Sequence, residues 1–370
     1  MLLEIIGPFL LIVGLLGNAI NFYIFTNPNL RSLTTFRFLT YLSIIDFLYL
    51  LTGLTHLLII IYFDYDLRLI SNLMCSFHSF LTIYLSHLSS NTLAAISISR
   101  CFKLIRLKPV KNEMKKLTKA TSVDNTANDI FLRKNNRKFK ITFGHADYTI
   151  LLIMVILFLF DSHYLIWMRL SDIDISNSTI SNQTLKQQCH PSLINQFYYN
   201  KFLANTWVWI DLFLYSYIPF VIMMVCTVLI TYKLCKVNKN IGRSKSSDNN
   251  NKQRSITNQN QLLFKKRAKK TNQIYQLLIL INVCFFVLVT PLVLSNSLGI
   301  LVIENKIILE LVYILSYLNH CINFVFYGLS CKIYRTILYD TFYNRFKKPI
   351  NSNNNNSNNT KRETTLVAKL

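Results

Sequence analysis

The chain has 370 residues, of which 52% are hydrophobic and only 15% charged, with 8 Gly and 7 Pro. Soluble chains carry about a quarter charged residues, and scarce Gly and Pro exclude a collagen-like fibre. The net charge of +23 leaves two readings, a nucleic-acid partner or a basic membrane face, and the placement of each Lys and Arg decides between them.

The apolar residues arrive in blocks. Crossing ~30 Å of hydrocarbon as a helix takes about 20 apolar residues. Candidate spans lie at roughly 5–26, 38–62, 73–104, 147–168, 205–234, 273–300 and 307–329. Span one lacks a basic leader region and a small-residue cleavage pattern before Phe22, so it reads as a retained anchor rather than a signal peptide. Span four is almost wholly apolar from Tyr148 to Phe160. Spans three and seven carry scattered polar residues, which in a span face other helices or a wet cavity. Pro219 in span five and Pro291 in span six each remove a backbone hydrogen bond and predict bends.

These spans predict an all-α membrane protein, a seven-transmembrane helix bundle over 5–329 with residues 1–4 outside. The long basic loop 106–145, the basic loop 236–270 and the Asn-rich tail 347–370 cannot bury enough apolar surface to fold alone. Between them, 330–346 reads as a short amphipathic eighth helix on the membrane surface.

Of the 40 Lys and Arg, 34 fall on one side of this threading and 5 on the other, with Arg100 at the inner end of span three. Positive residues stay cytoplasmic. The amino terminus is therefore expected outside and the tail inside, at the plasma membrane, against anionic lipid headgroups. The same asymmetry accounts for the basic balance without nucleic acid. Among eight Cys, only Cys75 and Cys189 fall on the oxidising side, which predicts one disulfide from the outer end of span three to the loop between spans four and five. That loop also holds the glycan acceptors Asn177 and Asn182.

Two spans carry the polar residues of interest. Cys75 and Arg100 are 25 residues apart, ~37 Å of helix, and Thr82, Ser89 and Arg100 share one face. Asp46, in mid-span two, costs ~3 kcal/mol or more to insert and needs partners. Asn18, Ser89, Asn319 and Asn323 are the candidates, the last two continuing at Tyr327 with a four-residue period. Such oxygen-bearing side chains could hold Na⁺, a hard ion; the alternative is a hydrogen-bond network around a protonated Asp46.

Together these residues resemble the rhodopsin-like family of G-protein-coupled receptors across roughly 5–345. The resemblance rests on Gly17-Asn18, Leu42 to Asp46, Cys75 with Cys189, Arg100, Pro219, Phe285 with Pro291, and Asn323 to Tyr327 followed by an amphipathic helix. It implies that Arg100 meets a heterotrimeric G protein. Asp46, Ser89, Asn319, Asn323 and Asn18 would form a sodium-linked core, Tyr327 would swing on activation, and Pro291 would bend the moving sixth helix. The chain departs from the family pattern at Ser99 and Cys101 beside Arg100, at Val289, at Phe324 and at Thr227. The missing acid beside Arg100 predicts raised basal signalling, or else a receptor that binds ligand without productive coupling.

Thr82 stands where monoamine receptors carry an Asp, which argues against an amine of that class. The ligand pocket is expected from Thr82, Tyr84, Asp211, Tyr215, Asn296 and Glu310, with Asp161 and His163 nearby. An inward Asp211 would suit a cationic group, as on a short Arg-containing peptide of the neuropeptide branch. The seven His are scattered without paired spacing and no Ser/His/Asp set is evident, so neither an enzyme nor a metal centre is expected. A transporter would show inverted repeats, which seven spans do not supply.

Overall fold

The computed structural model describes residues 2–31, 33–106, 144–174, 185–191, 201–202, 206–243, 279–292, 294–295, 306–330 and 332–346. The glycan acceptors Asn177 and Asn182, the pocket candidate Asn296, the tail 347–370 and most of both basic loops lie outside the described residues. The chain divides into two compact units, Met1–Cys331 and Lys332–Leu370.

Among the described residues the first unit is a bundle of seven long helices. α1 is Leu2–Phe25, followed by a single turn at Pro28–Arg31. α2 is Thr34–Phe63, α3 is Asn72–Arg106 and α4 is His145–Trp167. α5 runs from Val208–Leu212 through a π-helical turn at Phe213–Tyr217 into Ile218–Arg243. α6 is Ile279–Leu292, and α7 is Lys306–Cys321 with Asn323–Ser330, bent by 48° between them. In the second unit α8 is Lys332–Phe346.

Four helical stretches are long and apolar enough to cross a bilayer, and the bent α7 makes a fifth. The other two helices miss that measure for different reasons. The described part of α6 is short. The 35-residue α3 is long enough but polar, and its Ser76, Ser86, His87, Ser89, Ser90, Thr92 and Ser97 are all buried. Lipid offers polar side chains no partners, so α3 sits inside the bundle, where Ser86, Ser90 and Thr92 bond its own carbonyls and His87, Ser89 and Ser97 meet other helices. The exterior is the reverse. On α4, Leu151, Leu152, Val155 and Leu159 stand exposed. A continuous apolar exterior over a polar interior is the arrangement a bilayer stabilises, and the chain is a membrane protein.

Three features add detail to the sequence reading. The segment 1–4 is helical from Leu2, because the Glu310 carboxylate on α7 accepts the otherwise unpaired Leu2 and Leu3 N–H groups at 2.9 and 3.4 Å. α5 continues to Arg243, past the predicted loop start at 236, since extending a formed helix carries no nucleation cost. The helical bundle also carries a hairpin between α4 and α5. Strands β1 (Met168–Asp174) and β2 (Leu185–Pro191) pair antiparallel with Leu170 opposite Cys189.

Small residues let α1 approach its neighbours. A Cβ at Gly17 would collide with the Phe324 ring of α7, and one at Gly14 would sit 2.5 Å from Leu50 and 2.6 Å from the Cys321 sulfur. Gly17 is thus the notch that accommodates Phe324. α2 carries its own π-helical turn at Leu50–Leu54, where Gly53 faces Thr82 of α3 and Tyr317 of α7. Such turns re-aim side chains and recur at functional sites.

Candidate functional site

The bundle interior holds four polar layers between its disulfide end and its Arg100 end. At the first, Cys75 and Cys189 are bonded, with Cα atoms 5.5 Å apart. The hairpin is held further by Leu170 N–H to Asn72 Oδ1 at 2.8 Å and by Arg169 to the Ser76 hydroxyl at 2.8 Å. Beside it, Asp66 accepts from Arg68 Nη2 at 2.7 Å and lies 2.8 Å from His56 Nε2. Partial burial pushes the Asp66 carboxyl up, but hydrogen bonds from Arg68 and His56 outweigh it and hold the group well below the usual carboxylate range.

The second layer is a buried triad. His87 Nδ1 lies 3.0 and 3.1 Å from the two Asp161 oxygens, and its Nε2 lies 2.9 Å from Asp211 Oδ1. One imidazole on α3 thus bridges carboxylates on α4 and α5. His87 and Asp161 are wholly enclosed, whereas the Asp211 side chain stays 27% exposed. The π-helical turn of α5 begins two residues after Asp211 and brings in Tyr215, whose ring centroid is 6.1 Å from that of His87. The buried Tyr215 hydroxyl faces Ser316 of α7.

The third layer surrounds Asp46, which is fully buried. Ser89 donates to Oδ1 at 2.6 Å, His320 Nδ1 lies 2.8 Å from the same oxygen, and Asn323 Nδ2 donates to Oδ2 at 2.8 Å. Asn18 reaches the site indirectly, donating to the His320 carbonyl at 3.0 Å where α7 bends. Asn319 is buried one residue earlier, but it is His320 that faces the carboxylate.

The fourth layer joins three helices. Asn282 of α6 donates to Thr227 Oγ1 of α5 at 2.9 Å and exchanges 3.5 Å contacts with Ser97 of α3, one turn from Arg100. Lys233 of α5 donates to the Ile105 carbonyl at 2.8 Å. Asp147, at the start of α4, accepts from Arg37 at 2.6 Å and from Tyr41 at 2.9 Å, tying α2 to α4. Arg100 is half-buried in the closing turns of α3. Tyr327 is buried edge-on to Phe25 of α1, with centroids 5.2 Å apart, and Pro291 lies in the last turn of α6.

The predicted polar core therefore converges at Asp46, Ser89 and Asn323. The predicted ligand residues disperse. Asp211 and Tyr215 meet at the triad. Tyr84 turns to α4, donating to the Met154 carbonyl at 3.1 Å and packing on Phe80. Thr82 bonds its own helix at the His78 carbonyl, 2.8 Å away, and Glu310 is engaged at the start of α1. His87, His320 and Asn282 were not singled out by the sequence reading. Their signal was present, since an ionisable or amide side chain inside an apolar span marks a candidate site.

Among the described residues no group of three or more His, Cys, Asp or Glu has the arrangement of a metal site. No curated protein matches the chain. The family model described as 7 transmembrane receptor (rhodopsin family) matches residues 133–327, more than half of the chain. The match takes in Cys189, Pro219, Pro291, Asn323 and Tyr327, while Asp46, Cys75 and Arg100 precede it. With seven helices around a polar core and the third helix disulfide-bonded to the hairpin after the fourth, the chain belongs to the rhodopsin family of seven-transmembrane receptors.

Proposed function

We propose that this chain is a plasma-membrane G-protein-coupled receptor, amino terminus outside, which binds a cationic extracellular ligand of the peptide class and signals to a heterotrimeric G protein. The triad is the observation that carries the ligand reading. Two carboxylates share one imidazole, so even a protonated His87 leaves one negative charge in excess, and Asp211 is the member that remains partly open. A guanidinium or ammonium group completes that balance and forms charge-assisted hydrogen bonds. Asp211→Asn keeps an oxygen for His87 and removes the charge. For an Arg-containing peptide agonist the expected result is a potency loss of roughly 10- to 100-fold, the size of a lost hydrogen bond to a charged group. Unchanged potency removes the pairing.

Coupling is supported by the lopsided Lys and Arg distribution around Arg100 and by the Asn282 layer beside it. Arg100 has no acid neighbour at Ser99 or Cys101, so the Ser97–Asn282–Thr227 contacts serve as the restraint on α6. Asn282→Leu removes buried hydrogen bonds of about 1–2 kcal/mol in all, a five- to thirty-fold change in a two-state equilibrium. In a nucleotide-exchange assay with purified G proteins, that variant is expected to raise ligand-independent exchange above wild type, and Arg100→Ala is expected to abolish it. Exchange that stays at the receptor-free rate in all variants, with ligand still bound, would identify a receptor that binds without coupling.

A further inference from the structure

A sodium ion is the group that the family resemblance implies at Asp46, and the residues around it do not suit one. Sodium is a hard cation and takes oxygen lone pairs. Here the Asp46 carboxylate is met by hydrogen-bond donors. The Ser89 hydroxyl and the His320 Nδ1 both address Oδ1, at 2.6 and 2.8 Å. The Asn323 amide turns its nitrogen, and not its oxygen, to Oδ2 at 2.8 Å. Ser89 Oγ and His320 Nδ1 are also 3.4 Å apart, so little room is left between them. An ion entering here would have to displace an imidazole held from two sides. Asn18 anchors the His320 backbone carbonyl at 3.0 Å, and Tyr49 packs on the ring with centroids 4.4 Å apart. The other ring nitrogen, Nε2, is buried with no hydrogen-bond partner among the described residues, so the ring has one polar engagement, at Asp46.

A wholly buried carboxylate still requires a compensating positive charge or a proton. One proton shared between His320 and Asp46 leaves the pair neutral, whichever of the two holds it. We propose that His320 is the resident counter-group of Asp46, so that the core of this receptor is closed by an internal His–Asp pair and takes no sodium ion. The Asn319–His320 dipeptide is where the choice is made. A helix turned by one residue would present the Asn319 amide oxygen to the carboxylate, a sodium ligand in place of a proton carrier.

The test does not depend on G-protein coupling. Thermal unfolding of the purified full chain is followed in NaCl, KCl and choline chloride at equal ionic strength. Wild type is expected to unfold at the same temperature in all three salts. His320→Asn is expected to gain a rise of about 2 °C or more in NaCl alone, as for any ion that binds only the folded state. A sodium-specific rise in wild type overturns the proposal, and so does a variant as indifferent to sodium as wild type. If His320→Asn does not fold, Asp46→Asn decides. Identical salt responses of wild type and Asp46→Asn support the proposal, and a sodium response lost on that substitution overturns it.

Discussion

Replacing His87 with leucine is expected to remove most of the folded receptor from the membrane. The substitution is close in volume and apolar, so packing alone forecasts a small effect. Electrostatics forecasts a large one, because Asp161 is wholly enclosed and its two oxygens lie 3.0 and 3.1 Å from His87 Nδ1. Removing one member of a buried ionic set strands the other, at a cost of about 3–5 kcal/mol. That is a large part of the ~5–15 kcal/mol that holds a folded domain. Asp211 is affected less, since part of its side chain remains open. The double variant His87→Leu with Asp161→Leu removes the stranded charge and is expected to recover much of the loss, because apolar replacement of a buried ionic set is often neutral. Thermal unfolding of detergent-extracted protein measures both. A single variant that melts with wild type would show that the triad does not hold charge.

The second large effect is expected from Cys189→Ser. The bond from Cys75 to Cys189 closes 114 residues, for which loop-closure entropy gives about 5 kcal/mol. That value is an upper bound, because α3 and α4 remain threaded in the bilayer when the bond is lost and the free chain is already confined. Two contacts also survive the substitution, Leu170 N–H to Asn72 and Arg169 to Ser76. The expected loss is therefore about 2–4 kcal/mol, read as a fall of several degrees in the melting temperature, together with weakened ligand binding as β2 loses its bond to α3. Cys75→Ser should match it and the double variant should add nothing, since all three remove the same bond. Additive losses would mean that the cysteines act separately.

Not every departure from the family pattern weakens the receptor. Thr227 stands where a tyrosine is usual, yet its hydroxyl accepts the Asn282 amide. Phe324 replaces a proline, and Gly17 provides its recess. Both residues find a neighbour that fits them, which a one-dimensional comparison with a motif does not reveal. Close to Ser99 and Cys101, the Asn282 layer joins α3, α5 and α6.

The sequence by itself determined the class, the number of spans, the disulfide partners and the need of Asp46 for company. All of these follow from local quantities: hydropathy over a window of about 20 residues, the side of the membrane on which a charge or thiol falls, and the cost of one carboxylate in hydrocarbon. Tertiary structure decided which neighbours answer that need. Successive residues on a helix point about 100° apart, so a difference of one position separates Asn319 from His320 as the partner of Asp46. The rotation of α7 at its 48° bend, and of α5 at its π-helical turn, sets which side chains enter the core. The pairing of His87 with Asp161 and Asp211 likewise joins residues 74 and 124 positions apart. Such pairings depend on the rotation and depth of whole helices against one another, and no window of sequence contains them.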